Sequence, residues 1–289
     1  MASFRGGAAP SHVETDEAVD ATDAQDRFAS LDREQALSRT IEAEIIPRLM
    51  LAHQAPRCDA PAGRAELRPT QAEVAEFASL LIAHDIDVAS RFVDVMRERG
   101  LTLENVLLHL FTPVAAILDQ MWRDDSCDFC DITIAFSRLQ QILREISAPF
   151  EAEGEPTPGE KRALIAAAPG ERHTFGIYVV EEFLRRAGWD VVCLPEASAS
   201  RLVRLVRREW FDVVGFSLSC EGLLAGLGSA IDEIRRGSRN NRIGVIVGGN
   251  YFNERPESAG KVGADLVAFD GLDAVRKAQR WVGGAALSS

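Results

Sequence analysis

A chain of 289 residues, 46% of them apolar, is long enough to bury one large hydrophobic core or two ordinary ones. Its 32 Lys and Arg against 44 Asp and Glu leave a net charge of −12, which opposes unaided binding to a phosphate backbone because few clustered cations remain to displace counterions. No run of eighteen or more apolar residues occurs and MASFRGGAAPSHVETDE lacks an apolar leader core, so a soluble, cytoplasmic chain with no membrane contact is expected, reaching any nucleic acid through a protein partner.

In chain order, residues 1–32 are rich in Asp, Ala, Ser and Thr with few large apolar groups, a composition that cannot offset the entropy of ordering and reads as a disordered acidic tail. Residues 33–68 form a helix and linker: Leu37, Ile41, Ile45 and Leu49 recur every fourth position, and QAPRCDAPAGRAELRP then breaks the pattern with prolines and glycine. Residues 69–150 carry four amphipathic helical patterns, near 70–84, 87–99, 103–124 and 131–147. The third is the clearest, with Val106, Leu107, Leu110, Phe111, Val114, Leu118, Met121 and Trp122 at three- and four-residue steps and Thr102 placed to cap its start. Short connections between four such helices predict an antiparallel bundle. The charged stretch at 151–161, with Pro156, Pro158 and Gly159, marks a linker.

From residue 162 to 289 the period changes. Short apolar runs, ALIAAA, DVVCL, DVVGFSLS, RIGVIVGG and ADLVAF, alternate with amphipathic stretches at 174–187, 198–209, 221–236, 255–261 and 272–282. Five strands alternating with five helices predict a doubly wound parallel sheet of flavodoxin or Rossmann type, so the whole chain reads as an N-terminal four-helix bundle followed by an α/β domain. Ligands of such sheets lie beyond the carboxyl ends of the strands where the strand order reverses, and His173, Ser217, Ser219, Gly248 and Gly249 all fall at such ends.

The first strand is not followed by G-x-G-x-x-G, which argues against a dinucleotide. His173 alone reads as a loop residue, a general base or a metal ligand; Glu171, two residues earlier, can hold its second ring nitrogen. Ser217 and Ser219 could instead cap the next helix, and Gly248 and Gly249 could form an ordinary turn. Taken together the loops describe a site for a large cofactor with one ligated metal.

These residues resemble a known signature. ERHTFG, SLS and GG are similar to the D-x-H-x-x-G, S-x-L, G-G pattern of base-off cobalamin proteins, with 40 residues between Gly176 and Ser217 and 28 between Ser219 and Gly248. The resemblance implies His173 as the lower cobalt ligand, and a cofactor site of Glu171, His173, Thr174, Phe175, Gly176, Ser217, Leu218, Ser219, Gly248 and Gly249 with a deep slot between strands for the benzimidazole tail. It also implies that the bundle is a cap over the upper face of the corrin, with Trp122 of MWRDD packed in the bundle and its ring over the corrin. The chain departs from the pattern in four places. Glu171 replaces Asp, Ser219 stands at the Leu position, and Ile132 and Thr133 occupy the positions of a Glu-His pair that corrinoid carriers and cobalamin photoreceptors present from the cap.

TIEAEIIPRLMLAH, WRDDSCDFCDITIAFSRLQQ and ERHTFGIYVVEEFLRRAGWDV further resemble the AerR/PpaA family. That resemblance implies a non-enzymatic, light-responsive antirepressor holding alkyl- or hydroxocobalamin and acting on a PpsR/CrtJ-type repressor of photosystem and tetrapyrrole genes, with DNA contacted only through that partner. A heme- or redox-sensing regulator and a corrinoid methyl carrier are the alternatives. Heme would be the substitute cofactor, since the signature is also similar to the heme-binding sensor domain of the antirepressor AppA. Five scattered cysteines (Cys58, Cys127, Cys130, Cys193, Cys220) are expected as reduced thiols, and CDFC at 127–130 lacks the partners of a zinc site. The arginines at 201, 204, 207 and 208 read as a solvated helix face, and His84 and His109 as ordinary core or surface residues.

Overall fold

The computed structural model describes residues 67–154 and 161–286. The acidic tail and the helical pattern over 33–53 lie outside the described residues.

Four helices open the described chain. Helix α1, Gln71–Ala83, starts at a capping box in which Thr70 accepts from the Glu73 amide while the Glu73 carboxylate accepts from the Thr70 amide. Helix α2 is Ile86–Glu98, and α4 is Phe129–Ala152, begun by the Asp128 side chain on the Cys130 amide. Helix α3 has three parts: Leu103–Asn105, a π-helical segment Val106–Phe111, and Thr112–Arg123. The π segment has a local cause. Pro113 has no N–H to offer the His109 carbonyl, and the Thr112 amide bonds to Leu107 instead, one residue further back than in an α-helix. The apolar spacing read from the sequence does not distinguish this widening from an ordinary helix.

Helix α4 runs past the expected end near Ser147 and carries Pro149 in its last turn. Phe150 explains the extension: it is fully buried, edge-on to Phe183 with centroids 5.1 Å apart, so packing outweighs the proline.

The α/β layer then alternates as expected: β1 Arg162–Ala167, α5 Phe175–Arg186, β2 Asp190–Leu194, α6 Ala199–Arg208, β3 Val213–Ser217, α7 Leu224–Gly237 and β4 Gly244–Gly248. The helix expected at 255–261 is instead a short α8, Asn250–Glu254, and a 3-10 segment Pro256–Val262 that ends on left-handed Gly263. After β5, Leu266–Val267, comes the last helix α9, Gly271–Ala286. All pairings are parallel, in the order β2-β1-β3-β4-β5. The order reverses between β1 and β3, which defines the switch point.

Alternation along the strands sends side chains to two cores. Leu164, Ala166, Val214, Phe216, Leu218, Val245 and Val247 pack against α6 and α7. On the opposite face Ala163, Ile165, Ala167, Val213 and Ile246 join Phe175, Val179, Phe183 and Ala278, and that core is continuous with the bundle through Phe111, Leu139 and Phe150. Small residues prevail on this face. Gly215, Gly244 and Gly248 all lie on it and let neighbours approach the sheet closely: a Cβ would meet Ile165 at the first, the Trp281 ring at the second and the Ala268 carbonyl at the third. Among the described residues no helix is long and apolar enough to cross a membrane.

Candidate functional site

The loop after β1 turns at Gly170, whose φ of 89° favours glycine, and the Glu171 amide bonds back to Ala168. This brings Glu171 beneath the loop after β3. Its carboxylate, 2% exposed, accepts five hydrogen bonds. One oxygen takes the Arg172 amide at 2.8 Å, the His173 amide at 2.9 Å and His173 Nδ1 at 2.7 Å. The other takes the Ser219 amide at 2.7 Å and Ser219 Oγ at 2.6 Å. Burial pushes the Glu171 carboxyl up, but donors from His173 and Ser219 outweigh it and hold the group at about 2. Ser219 therefore ties two strand ends together, and neither it nor Ser217 caps the following helix, whose first residues have no side-chain cap.

An ionised carboxylate at Nδ1 fixes that nitrogen as the donor, with Ser219 Oγ at 2.9 Å as a second neighbour. Nε2 is left to face the cavity. The Glu171 hydrogen bond raises the His173 pKa above its ordinary 6.5, against an opposing contribution from burial, and Asp119 adds to the rise. Asp119 comes from α3, with Oδ1 3.7 Å from Nε2; burial raises its carboxyl, and the charges of His173 and Arg123 partly offset that. Nothing in the sequence marked Asp119, because its position depends on how the bundle sits on the sheet.

His173 opens into a cavity of about 870 Å³. Its upper wall is the bundle, including His109, Thr112, Asp119 and Trp122 from α3 and Ile132, Thr133 and Phe136 from α4. Below, it passes Thr174, Phe175 and Gly176, then Ser217, Ser219, Gly248 and Gly249, and continues to Val213 at the start of β3 and Ala278 in α9. The deep slot thus lies between the sheet and helices α5 and α9, not between strands as expected. Strands present alternate residues to one face, which is why Leu218 differs from the other expected site residues. Ser217 and Ser219 face the cavity while the Leu218 side chain is buried in the core on the other face.

Trp122 also departs from expectation. It is 48% exposed at the cavity rim, edge-on to Phe129 at 5.2 Å, and not packed inside the bundle. His109, read as ordinary, lines the cavity from the π segment. Cys130 is exposed and Cys127 half-buried, and the arginines at 201, 204, 207 and 208 occupy the exposed face of α6.

The glycines divide by role. Gly249 has φ 91°, and a side chain there would meet the Leu218 carbonyl at 2.6 Å and Ser217 Oγ at 2.7 Å. At Gly248 a Cβ would meet the Ala268 carbonyl at 2.8 Å. Both close the strand ends tightly. Gly176 is different: a Cβ there would touch no protein atom, so the space beside it belongs to the cavity.

Residues 161–278 match the family of the B12 binding domain. Over 181 residues, 61% of this chain and 92% of the relative, the sequence is 30% identical to an uncharacterized 20.5 kDa protein of Rhodobacter capsulatus in the bchF-crtJ intergenic region. The chain belongs to the AerR/PpaA family. The fold of this AerR/PpaA-family chain is similar to that of the monomethylamine corrinoid protein of Methanosarcina barkeri, with a TM-score of 0.60 at 13% identity over 73% of this chain and 98% of that one.

The residues fit such a group. A single imidazole has Nδ1 committed to a carboxylate and Nε2 directed into a long cavity, and a glycine on the floor leaves its side-chain space open. Such an imidazole would be able to hold a metal through Nε2, its other nitrogen being oriented by Glu171.

Proposed function

We propose that this chain is a cobalamin-dependent regulatory protein without catalysis of its own, an antirepressor that binds a PpsR/CrtJ-type repressor in response to light. The observation that carries the cofactor part is the Glu171–His173–Ser219 network, which points one imidazole nitrogen into a cavity of corrin scale. His173 would hold the cobalt through Nε2, and Ser217, Gly248 and Gly249 would flank the tail at the strand ends. Bound cobalamin would supply a light-absorbing centre with an exchangeable upper ligand. The bundle covers that side, so a change there reaches a surface that a partner can read.

What the cap offers weighs against an upper-face histidine from α4 in a methyl carrier and in a photoregulator alike. Ile132 and Thr133 line the cavity at the Glu-His positions, and neither can ligate a metal as imidazole does. The acidic net charge of −12 favours a protein partner over direct DNA contact.

The test is the ultraviolet–visible spectrum of the purified protein with cobalamin and, separately, with heme, in the dark and after illumination. A corrin spectrum that responds to light, whose protein-bound form is lost in His173→Ala, and light-dependent retention of the repressor in a pull-down are the expected results. An unchanged cobalt spectrum in His173→Ala overturns the ligation. A spectrum from heme alone moves the reading to a heme sensor.

A further inference from the structure

The bundle meets the α/β layer through two junctions of different kind. At the first, the end of α4 and the start of α3 are pinned to α5. Phe150 is edge-on to Phe183, the Arg186 guanidinium lies 4.5 Å over the Phe150 ring and pairs with Glu104 at 2.9 Å, and Ser147 donates to Glu182 at 2.5 Å. This junction is apolar, buried and cross-tied. The second lies over the β1 loop, where the cavity separates the layers. Its contacts include Asp119 Oδ1 3.7 Å from His173 Nε2, an approach longer than a hydrogen bond and ionic while the imidazole is protonated, and the tilted ring pair Phe136 and Phe175 at 6.5 Å.

Asp119 and a metal compete for the same nitrogen. Nδ1 is committed to Glu171, so ligation has to use Nε2. A metal–imidazole bond is about 2 Å long in zinc sites, and with the carboxylate 3.7 Å from Nε2 no room remains for a planar macrocycle between them. Asp119 therefore has to leave Nε2 before that nitrogen can ligate. Arg123, which also lines the cavity and acts on Asp119 electrostatically, is a cation within reach of the released carboxylate.

We propose that the Asp119–His173 contact is a latch that holds the helical cap closed on the cofactor-free protein, and that cofactor binding opens it. The inference rests on the cobalamin reading of His173 and adds a coupling to it: the cap position reports whether Nε2 is taken. Linkage makes the effect reciprocal. A variant without the latch must bind cobalamin more tightly by the factor with which cobalamin opens the latch.

The experiment uses the full chain. Hydrogen exchange of residues 112–123 is measured without cofactor in wild type, Asp119→Ala, Asp119→Asn, His173→Ala and the Asp119→Ala/His173→Ala double variant, with far-ultraviolet circular dichroism confirming that each is folded. Faster exchange in each single variant, and no further increase in the double variant, is expected. Hydroxocobalamin is then mixed with wild type and both Asp119 variants. Affinity about fivefold tighter or more, with the wild-type final spectrum, is expected. Wild-type exchange in both Asp119 variants, or cobalamin affinity unchanged or weakened in them, overturns the latch. Failure of the cobalamin reading shows separately, as an unchanged spectrum in His173→Ala, and the cofactor-free exchange data still decide the contact.

Discussion

Replacing Glu171 by Gln keeps the size of the side chain and removes its charge. In the fold the carboxylate is 2% exposed and accepts from three backbone amides, an imidazole and a hydroxyl. Burial alone would raise its pKa, yet the hydrogen bonds bring it from 4.5 to about 2. At about 1.4 kcal/mol per tenfold change in proton affinity, that difference corresponds to about 3 kcal/mol of stability. The sign follows from the direction. A depressed carboxyl contributes fully above its ordinary 4.5 and loses that contribution as the pH falls toward about 2. His173 is raised, so its share is present below 6.5 and is lost as the pH rises through the elevated value. Urea unfolding at pH 6 should therefore show Glu171→Gln less stable by about 3 kcal/mol with an unchanged m-value, and the gap should narrow by about 1 kcal/mol at pH 3.5. Cobalamin affinity should fall about 10- to 100-fold, the usual loss when a metal-ligating histidine loses its carboxylate. A gap under 1 kcal/mol at pH 6, or one of equal size at both pH values, refutes the reasoning.

Phe150→Ala should destabilise by about 3–5 kcal/mol in urea, since it empties a fully buried ring position that meets Phe183 and underlies Arg186. Gly249→Ala should cost about 1–3 kcal/mol, because φ 91° is strained for alanine and the new Cβ meets the Leu218 carbonyl at 2.6 Å; a thermal melt within a degree of wild type would contradict it.

The fold was legible where one local signal decides an element. Each inner strand is a short run of apolar residues and glycine, ended by Pro169 after β1, Ser217 in β3 and Gly248 in β4, so these strands lie where the runs do. Elements set by competing forces were not. Phe150 carries α4 past its apparent end, Pro113 widens α3 without altering its apolar spacing, and Pro256 with Gly263 divides the helix expected at 255–261. The site follows the same rule. His173, Ser217, Ser219, Gly248 and Gly249 were legible as neighbours because the first follows β1, the serines lie at the end of β3 and the glycines at the end of β4, and parallel pairing brings those three ends together. Asp119 was not, since any polar residue on α3 could have faced Nε2 until packing at Phe150 and Phe183 fixed the register.

The two departures from the cobalamin signature, Glu171 for Asp and Ser219 for Leu, are one feature in the fold. Glu171 uses one oxygen for His173 and the other for both the amide and the hydroxyl of Ser219. Its extra methylene lets the carboxylate bridge two strand ends, and the hydroxyl supplies a donor that leucine lacks. The substitutions should therefore be coupled. Glu171→Asp shortens the bridge and Ser219→Leu removes a donor from it, each at a cost of about 1–3 kcal/mol for a buried group left short of a partner. With the bridge already lost, the second change has less to remove, so the double variant should be more stable than the sum of the single losses predicts by at least about 0.5 kcal/mol. Urea unfolding of the four proteins measures that difference. Simple additivity would mean that Ser219 holds Glu171 through its amide alone, and that the two departures arose independently.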